Sequence, residues 1–178
     1  MKIKELTRYA LFTAIIFICT YMVQITLPLP GNGGLVHAGN IALFTIAVVF
    51  GKKYGAVSGA VGMTLFDLLS GWAIWAPGTF IIRFACGYVI GAIANAKDYK
   101  GTNRNMNILA MLSGSAIIIF GYYFYQVLLY GNWVVAAGSM IGDVIQSAVG
   151  TVVSLALIPS LIKLQSIDQM SRTKELCE

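Results

Sequence analysis

Long stretches without charge alternate with short polar breaks along this chain. No Lys, Arg, Asp or Glu occurs from Tyr9 to Gly51. Asp67 and Arg83 are the only such residues from Tyr54 to Ala96, and Asp143 is the only one from Asn105 to Ile162. Turn residues divide these stretches further. Pro28-Leu29-Pro30-Gly31-Asn32-Gly33-Gly34 interrupts the first, Gly51-Lys52-Lys53 ends it, and Gly71 to Ala76 leads into Pro77, a residue suited to the first position of a helix. A polar run covers Lys97 to Asn107, and Gly131-Asn132-Trp133 makes a short turn. The pattern predicts helices at about 6–27, 38–50, 54–70, 77–96, 107–130 and 135–162. The second is short for a full span, which a tilt or burial within the protein would accommodate.

Composition turns this helical pattern into a membrane protein. The apolar set makes up 58% of the 178 residues and charged residues 11%, whereas a soluble domain carries roughly 25% charge. A disordered chain, a secreted disulfide scaffold and an ordinary cytosolic enzyme are all excluded. A spanning helix takes about 20 apolar residues. Six of them use most of the chain, so the expected fold class is an all-α integral membrane protein, a single six-helix transmembrane domain over residues 1–178.

Charge then orients the bundle. The side that carries the amino terminus holds Lys2, Lys4, Arg8, Lys52, Lys53, Lys97, Lys100, Arg104, Lys163, Arg172 and Lys174. The loops at 28–37, 71–76 and 131–134 contain no Lys or Arg. The positive-inside rule places both termini in the cytoplasm and these three loops outside, as in a multi-pass protein of a bacterial cell membrane. The net charge of +5 follows from this asymmetry, and no basic run calls for a nucleic-acid partner. The amino terminus is expected to remain uncleaved, because its apolar run is long and Pro28-Leu29-Pro30 lacks a small-x-small cleavage pattern.

Catalytic and energising motifs are missing. The single Gly-Lys pair, Gly51-Lys52, is followed by Lys53 and has no Gly five positions earlier, so there is no Walker A loop. HExxH, GxSxG and CxxC are absent. Cys19, Cys86 and Cys177 read as inert thiols, and neither a metal nor a cofactor is expected.

The ionisable residues left inside the spans call for partners or a purpose. Arg83 lies six residues past Pro77, about 9 Å below the outer surface, and Asp143 lies about 12 Å deep in the sixth helix. Asp67 sits near the outer end of the third. Three different helices thus bring charge to one depth. Two compatible readings follow: a structural pair of Arg83 with Asp67 or Asp143, and a polar site open to the outside. The tryptophans Trp72, Trp75 and Trp133 all fall on the same side. They suit an interfacial belt, and also stacking on a flat polar heterocycle. Candidate hydrogen-bonding groups at that depth are Asn32, His37, Asn40, Gln126, Asp143 and Gln146. Tyr122, Tyr125 and Gln126 can share a helix face, in a site or in the core. The loop from Pro28 to His37 reads either as a lid or as a plain connector.

Small residues recur at four-residue spacing: Ala10/Ala14, Gly51/Gly55/Gly59, Gly87/Gly91 and Gly138/Gly142. Such faces let helices approach closely.

These residues together resemble a known family. The six-helix pattern, the Gly-rich outer loop leading into Gly34-Leu35-Val36-His37-Ala38-Gly39-Asn40, Gly51-Lys52-Lys53-Tyr54-Gly55-Ala56, Asp67-Leu68-Leu69-Ser70-Gly71 and Trp75-Ala76-Pro77-Gly78-Thr79-Phe80 resemble the S components of energy-coupling factor (ECF) transporters, in the riboflavin and hydroxymethylpyrimidine branch. The resemblance implies capture of a water-soluble vitamin outside the cell. A transmembrane coupling subunit and two cytoplasmic ATPases would supply the energy. It implies a substrate site drawn from His37, Asn40, Trp75, Arg83, Gln126 and Asp143, and docking on the coupling subunit through Ala10 and Ala14. The mixed Trp, Asn and Asp content favours a hydroxymethylpyrimidine or pyridoxine-type ring, with riboflavin next. A self-contained channel or proton-coupled carrier using Asp67, Arg83 and Asp143 is the alternative from another class. An enzyme has no catalytic set to support it.

Overall fold

The computed structural model describes residues 3–27 and 35–175, with side chains through residue 167. The described residues form six α-helices: α1 (Ile3–Met22), α2 (Gly39–Phe50), α3 (Lys52–Leu69), α4 (Ala76–Ala94), α5 (Arg104–Tyr130) and α6 (Trp133–Glu175). Two short strands, β1 (Gln24–Thr26) and β2 (Leu35–His37), pair antiparallel with Gln24 opposite His37 and Thr26 opposite Leu35. Single 3-10 turns at Ala73–Trp75 and Ala96–Asp98 precede and follow α4. Most of the loop expected at 28–37, positions 28–34 with Asn32, lies outside the described residues, as do Lys2 and Cys177. Arg172 and Lys174 fall in α6 beyond the described side chains.

Among the described residues, three segments are long and apolar enough to cross a membrane: Ala73–Ala94, Arg104–Tyr130 and Trp133–Ile167. Helix α2 is apolar but has only 12 residues, about 18 Å of rise. The chain buries a core of Leu43, Phe44, Val48, Ile16, Met63, Ile90, Met111 and Ile118. It also leaves Leu11, Leu109, Leu112, Phe120, Phe124, Leu128, Val149 and Val152 exposed. An outer surface this apolar belongs against lipid, where exposed side chains cost nothing and every backbone group is satisfied within its helix.

The helix ends depart from the expected ones for identifiable reasons. The first helix stops at Met22 rather than 27, and the apolar residues after it pair as β1. Val23, Ile25 and Thr26 are β-branched, and Pro28 disfavours a helical Leu27. Helix α5 starts at Arg104 because the Asn103 side chain accepts from Met106 N, and α6 starts at Trp133 because Asn132 Oδ1 accepts from Val134 N and Val135 N. Helix α6 also continues past 162, through Pro159, into the polar tail. The all-α expectation holds for the bundle, to which the described residues add a small hairpin of two three-residue strands.

Close packing of α3 and α4 follows from the glycine series. A Cβ placed on Gly87 would strike the backbone of Gly55 and Ala56, and one on Gly91 the backbone of Lys52 and Gly51. The turn before α5 needs Gly101, whose φ of 75° favours glycine and whose Cβ would also meet Val48 at 2.9 Å.

Candidate functional site

At one end of the bundle, side chains from β2, α3, α4, α5 and α6 enclose a polar cavity. Its lining includes His37, Asp67, Trp72, Trp75, Thr79, Arg83, Tyr122, Gln126, Asp143 and Gln146. The space amounts to about 460 Å³, counted with the part that opens to solvent. Asp67 comes from α3, and each of the other three helices contributes residues one turn apart. Thr79 and Arg83 share a face of α4, Tyr122 and Gln126 a face of α5, and Asp143 and Gln146 a face of α6.

Arg83 anchors the cavity. It is 2% exposed, with Nη1 donating to Asn40 Oδ1 at 2.5 Å and Nε donating to the Tyr122 hydroxyl at 3.2 Å. Its guanidinium carbon lies 5.1 Å from the Tyr122 ring centroid, a cation–π distance. The Tyr122 and Thr79 hydroxyls bond to each other at 2.9 Å. The expected pairing with Asp67 or Asp143 is corrected by these contacts. Among the described residues the guanidinium bonds to a neutral amide and a phenol, while both carboxylates line the cavity beside it. Asn40 reaches Arg83 because α2 begins under the hairpin and packs closely on α6, where a Cβ on Gly150 would sit 2.9 Å from Asn40 Cβ. Asn40 thus supports Arg83 and is not itself part of the lining.

The hairpin positions His37. Its backbone N–H donates to Gln146 Oε1 at 3.2 Å, and its Nδ1 accepts from Gly39 N at 3.2 Å. Nδ1 therefore carries no proton, and Nε2–H remains as a donor. Burial, and secondarily the positive charge of Arg83, push the imidazole down to about 3, so it is neutral at physiological pH. Trp75 is buried among Tyr122, Tyr125 and Tyr130, at centroid distances of 6.2, 6.0 and 6.3 Å. The Tyr125 hydroxyl donates to Ile74 O at 2.7 Å and fixes the turn that carries Trp75.

Several lining atoms are buried without a protein partner among the described residues: Asp67 Oδ2, Gln126 Oε1 and Gln146 Nε2. Two acceptors and one amide donor thus converge on a space walled by Trp72, Trp75 and Tyr122. Such an arrangement is suited to holding a flat ring with N–H and O–H groups at its edge. No three His, Cys, Asp or Glu side chains converge among the described residues, so no metal site is built from them.

The structure brings His37, Trp75, Arg83, Gln126 and Asp143 to one cavity and sets Asn40 just behind. Sequence reasoning passed over Thr79, four residues before Arg83 and hence on its face of α4. It treated Tyr122, Gln146 and Asp67 only as general candidates. Ala10 and Ala14 are not part of this lining and lie on the exposed side of α1.

Known proteins match the chain along most of its length. The family model of the ECF-type riboflavin transporter, S component, matches residues 1–163. The thiamine precursor transporter HmpT of Lactococcus lactis subsp. cremoris is 29% identical over 159 residues, 89% of this chain and 87% of the relative. A protein of Pyrococcus woesei without assigned function is 29% identical over 137 residues, 76% of this chain and 86% of its own. The fluoride-specific ion channel FluC of Chloroflexus aurantiacus is 27% identical over 113 residues, 57% of this chain and 90% of the channel. With its helical bundle, its apolar outer surface and a family match across the first 163 residues, the chain belongs to the S components of ECF-type riboflavin transporters, membrane proteins of vitamin uptake and not enzymes.

Proposed function

We propose that this chain captures a small single-ring vitamin precursor of the hydroxymethylpyrimidine type from outside the cell. The observation that carries this reading is the cavity itself. Its aromatic walls at Trp72, Trp75 and Tyr122, with a few polar groups converging between them, suit a small flat ring held at its edge. Unpartnered acceptors at Asp67 and Gln126 suit the amino group of an aminopyrimidine, and Gln146 Nε2 with His37 Nε2–H suits its ring nitrogens and hydroxyl. The naming of HmpT as a thiamine precursor transporter supports the same choice. A pyridoxine-type ring is the next candidate, followed by riboflavin, which the family's name favours.

In this reading all six helices span the membrane. Both termini lie in the cytoplasm, the hairpin and cavity face outward, and a transmembrane coupling subunit with two cytoplasmic ATPases drives release inward. Ala10 and Ala14, one turn apart on the exposed face of α1, form the docking stripe for the coupling subunit. The partial match to FluC supports the rival, a self-contained channel or carrier.

Titration of the purified chain, followed by tryptophan fluorescence, tests the substrate. Hydroxymethylpyrimidine should bind at least tenfold more tightly than riboflavin, and the reverse order would overturn the assignment. Liposomes containing this chain alone should neither accumulate the ligand against a gradient nor pass fluoride; either activity would favour the rival.

A further inference from the structure

A second cavity opens at the other end of α5. Asn107, which lines it, is 19 residues from Gln126 of the first cavity, about 28 Å along the helix axis. The space lies between the start of α5 and the last membrane-crossing turns of α6, and it amounts to about 1190 Å³ counted with the part open to solvent. Thr102, Arg104 and Asn107 form its polar end, and Val152, Leu155 and Ile162 belong to an apolar wall.

We propose that this groove binds an anionic phospholipid whose headgroup carries hydroxyls. Three observations converge on that ligand. First, Asn107 is 3% exposed, its Nδ2 donates to Gly101 O at 2.6 Å, and its Oδ1 has no partner among the described residues. A buried acceptor of this kind needs a donor such as a headgroup hydroxyl. Second, Arg104 is exposed one turn before Asn107 on the same face of α5, in the first turn of the helix, where the helix dipole adds to its charge. A phosphate is the partner these two features select. The same end of the bundle carries Lys52, Lys53, Lys97, Lys100 and Lys163, and basic sites between membrane helices recruit anionic lipids. Third, the wall is too apolar for water: Val152 is 69% exposed, and the groove continues the lipid-facing surface of α5 and α6. An acyl chain along α6 with its phosphate at Arg104 satisfies all three, whereas a soluble phosphate leaves the wall bare. The site is independent of which vitamin occupies the first cavity.

Native mass spectrometry of the purified full chain tests this. The protein is stripped of lipid in detergent and then offered phosphatidylglycerol, phosphatidylcholine with the same acyl chains, or glycerol phosphate alone. The probes are repeated on Arg104→Gln and Val152→Trp, both changed at exposed positions, with thermal unfolding confirming that each folds. Wild type should retain phosphatidylglycerol over phosphatidylcholine. Arg104→Gln should weaken retention about fivefold, as expected for one interfacial cation, and Val152→Trp should weaken it by obstructing the groove. Equal retention of the two lipids, unchanged retention in both variants, or equal binding of glycerol phosphate without acyl chains would overturn the proposal. So would a Val152→Trp protein that keeps its lipid but no longer co-purifies with a coupling subunit, since the groove would then be a protein interface.

Discussion

Replacing Arg83 by Met keeps the apolar stem and removes the guanidinium, and the surroundings set the expected cost. Two charge-assisted hydrogen bonds are lost, to Asn40 and to Tyr122, each worth roughly 1.5–3 kcal/mol. Tyr122 keeps Thr79 as a partner, but the Asn40 side chain keeps none among the described residues. Its Nδ2 is already unpartnered among the described residues and the residue is 0% exposed. Orphaning the amide costs about 1–3 kcal/mol, offset in part because a buried charge has been removed. Stability should therefore fall modestly, and a second change, Asn40→Leu, should restore part of it by removing the orphan. The rescue partner is Asn40, since neither carboxylate bonds to the guanidinium.

Affinity should fall further than stability. A guanidinium has five N–H donors, and among the described residues protein groups occupy two of Arg83's. The others are available to a ligand in the cavity that Arg83 lines. Loss of one such contact should weaken binding by more than about tenfold, some 1.4 kcal/mol. Fluorescence titration reports affinity through Trp72 and Trp75, and thermal unfolding in detergent reports stability separately. An Arg83→Met protein that folds and binds within twofold of wild type would refute a ligand contact and leave Arg83 as a strut.

Other expectations are independent of this one. In the unfolded chain His37 titrates near 6.5 and in the folded chain near 3, so the unfolded state binds more protons at intermediate pH. Its contribution to stability is whole above about pH 6.5 and is lost as pH falls toward 3; wild type should lose stability relative to His37→Gln across that window, and parallel pH profiles would contradict the assignment. Gly87→Val should destabilise by at least about 1–3 kcal/mol, because its side chain would enter the Gly55 backbone; an unchanged unfolding temperature would show that α3 and α4 part without cost. Single cysteines at exposed Ala73 and Thr102, in a background with the native cysteines replaced, should label from outside and inside respectively; the opposite pattern would invert the topology.

Much of the bundle was legible from charge-free runs, because a membrane-crossing helix leaves so little freedom in composition. The hairpin was not. Val23 to Leu27 is as apolar as the helix before it, and whether it coils or extends depends on pairing with Leu35 to His37 nine or more residues later. The site was legible as a depth rather than as a geometry. Counting from Pro77 placed Arg83 level with Asp67 and Asp143, and all three do line one cavity. Its bonding could not be read, because Asn40 comes from a different helix and opposite charge is the stronger expectation on the page of a sequence. Thr79 was missed although it lies on the face of Arg83, since a hydroxyl in an apolar run more often bonds its own helix backbone.

The most direct test of the account is the identity of the small molecule that the purified chain retains. Mass spectrometry of denatured wild type should release a single-ring aminopyrimidine or a close analogue in stoichiometric amount. The same preparation of Asp67→Asn, which replaces an unpartnered acceptor by a donor, should release far less. Riboflavin in its place would correct the substrate, and equal retention by wild type and Asp67→Asn would contradict the claim that this cavity holds the ligand.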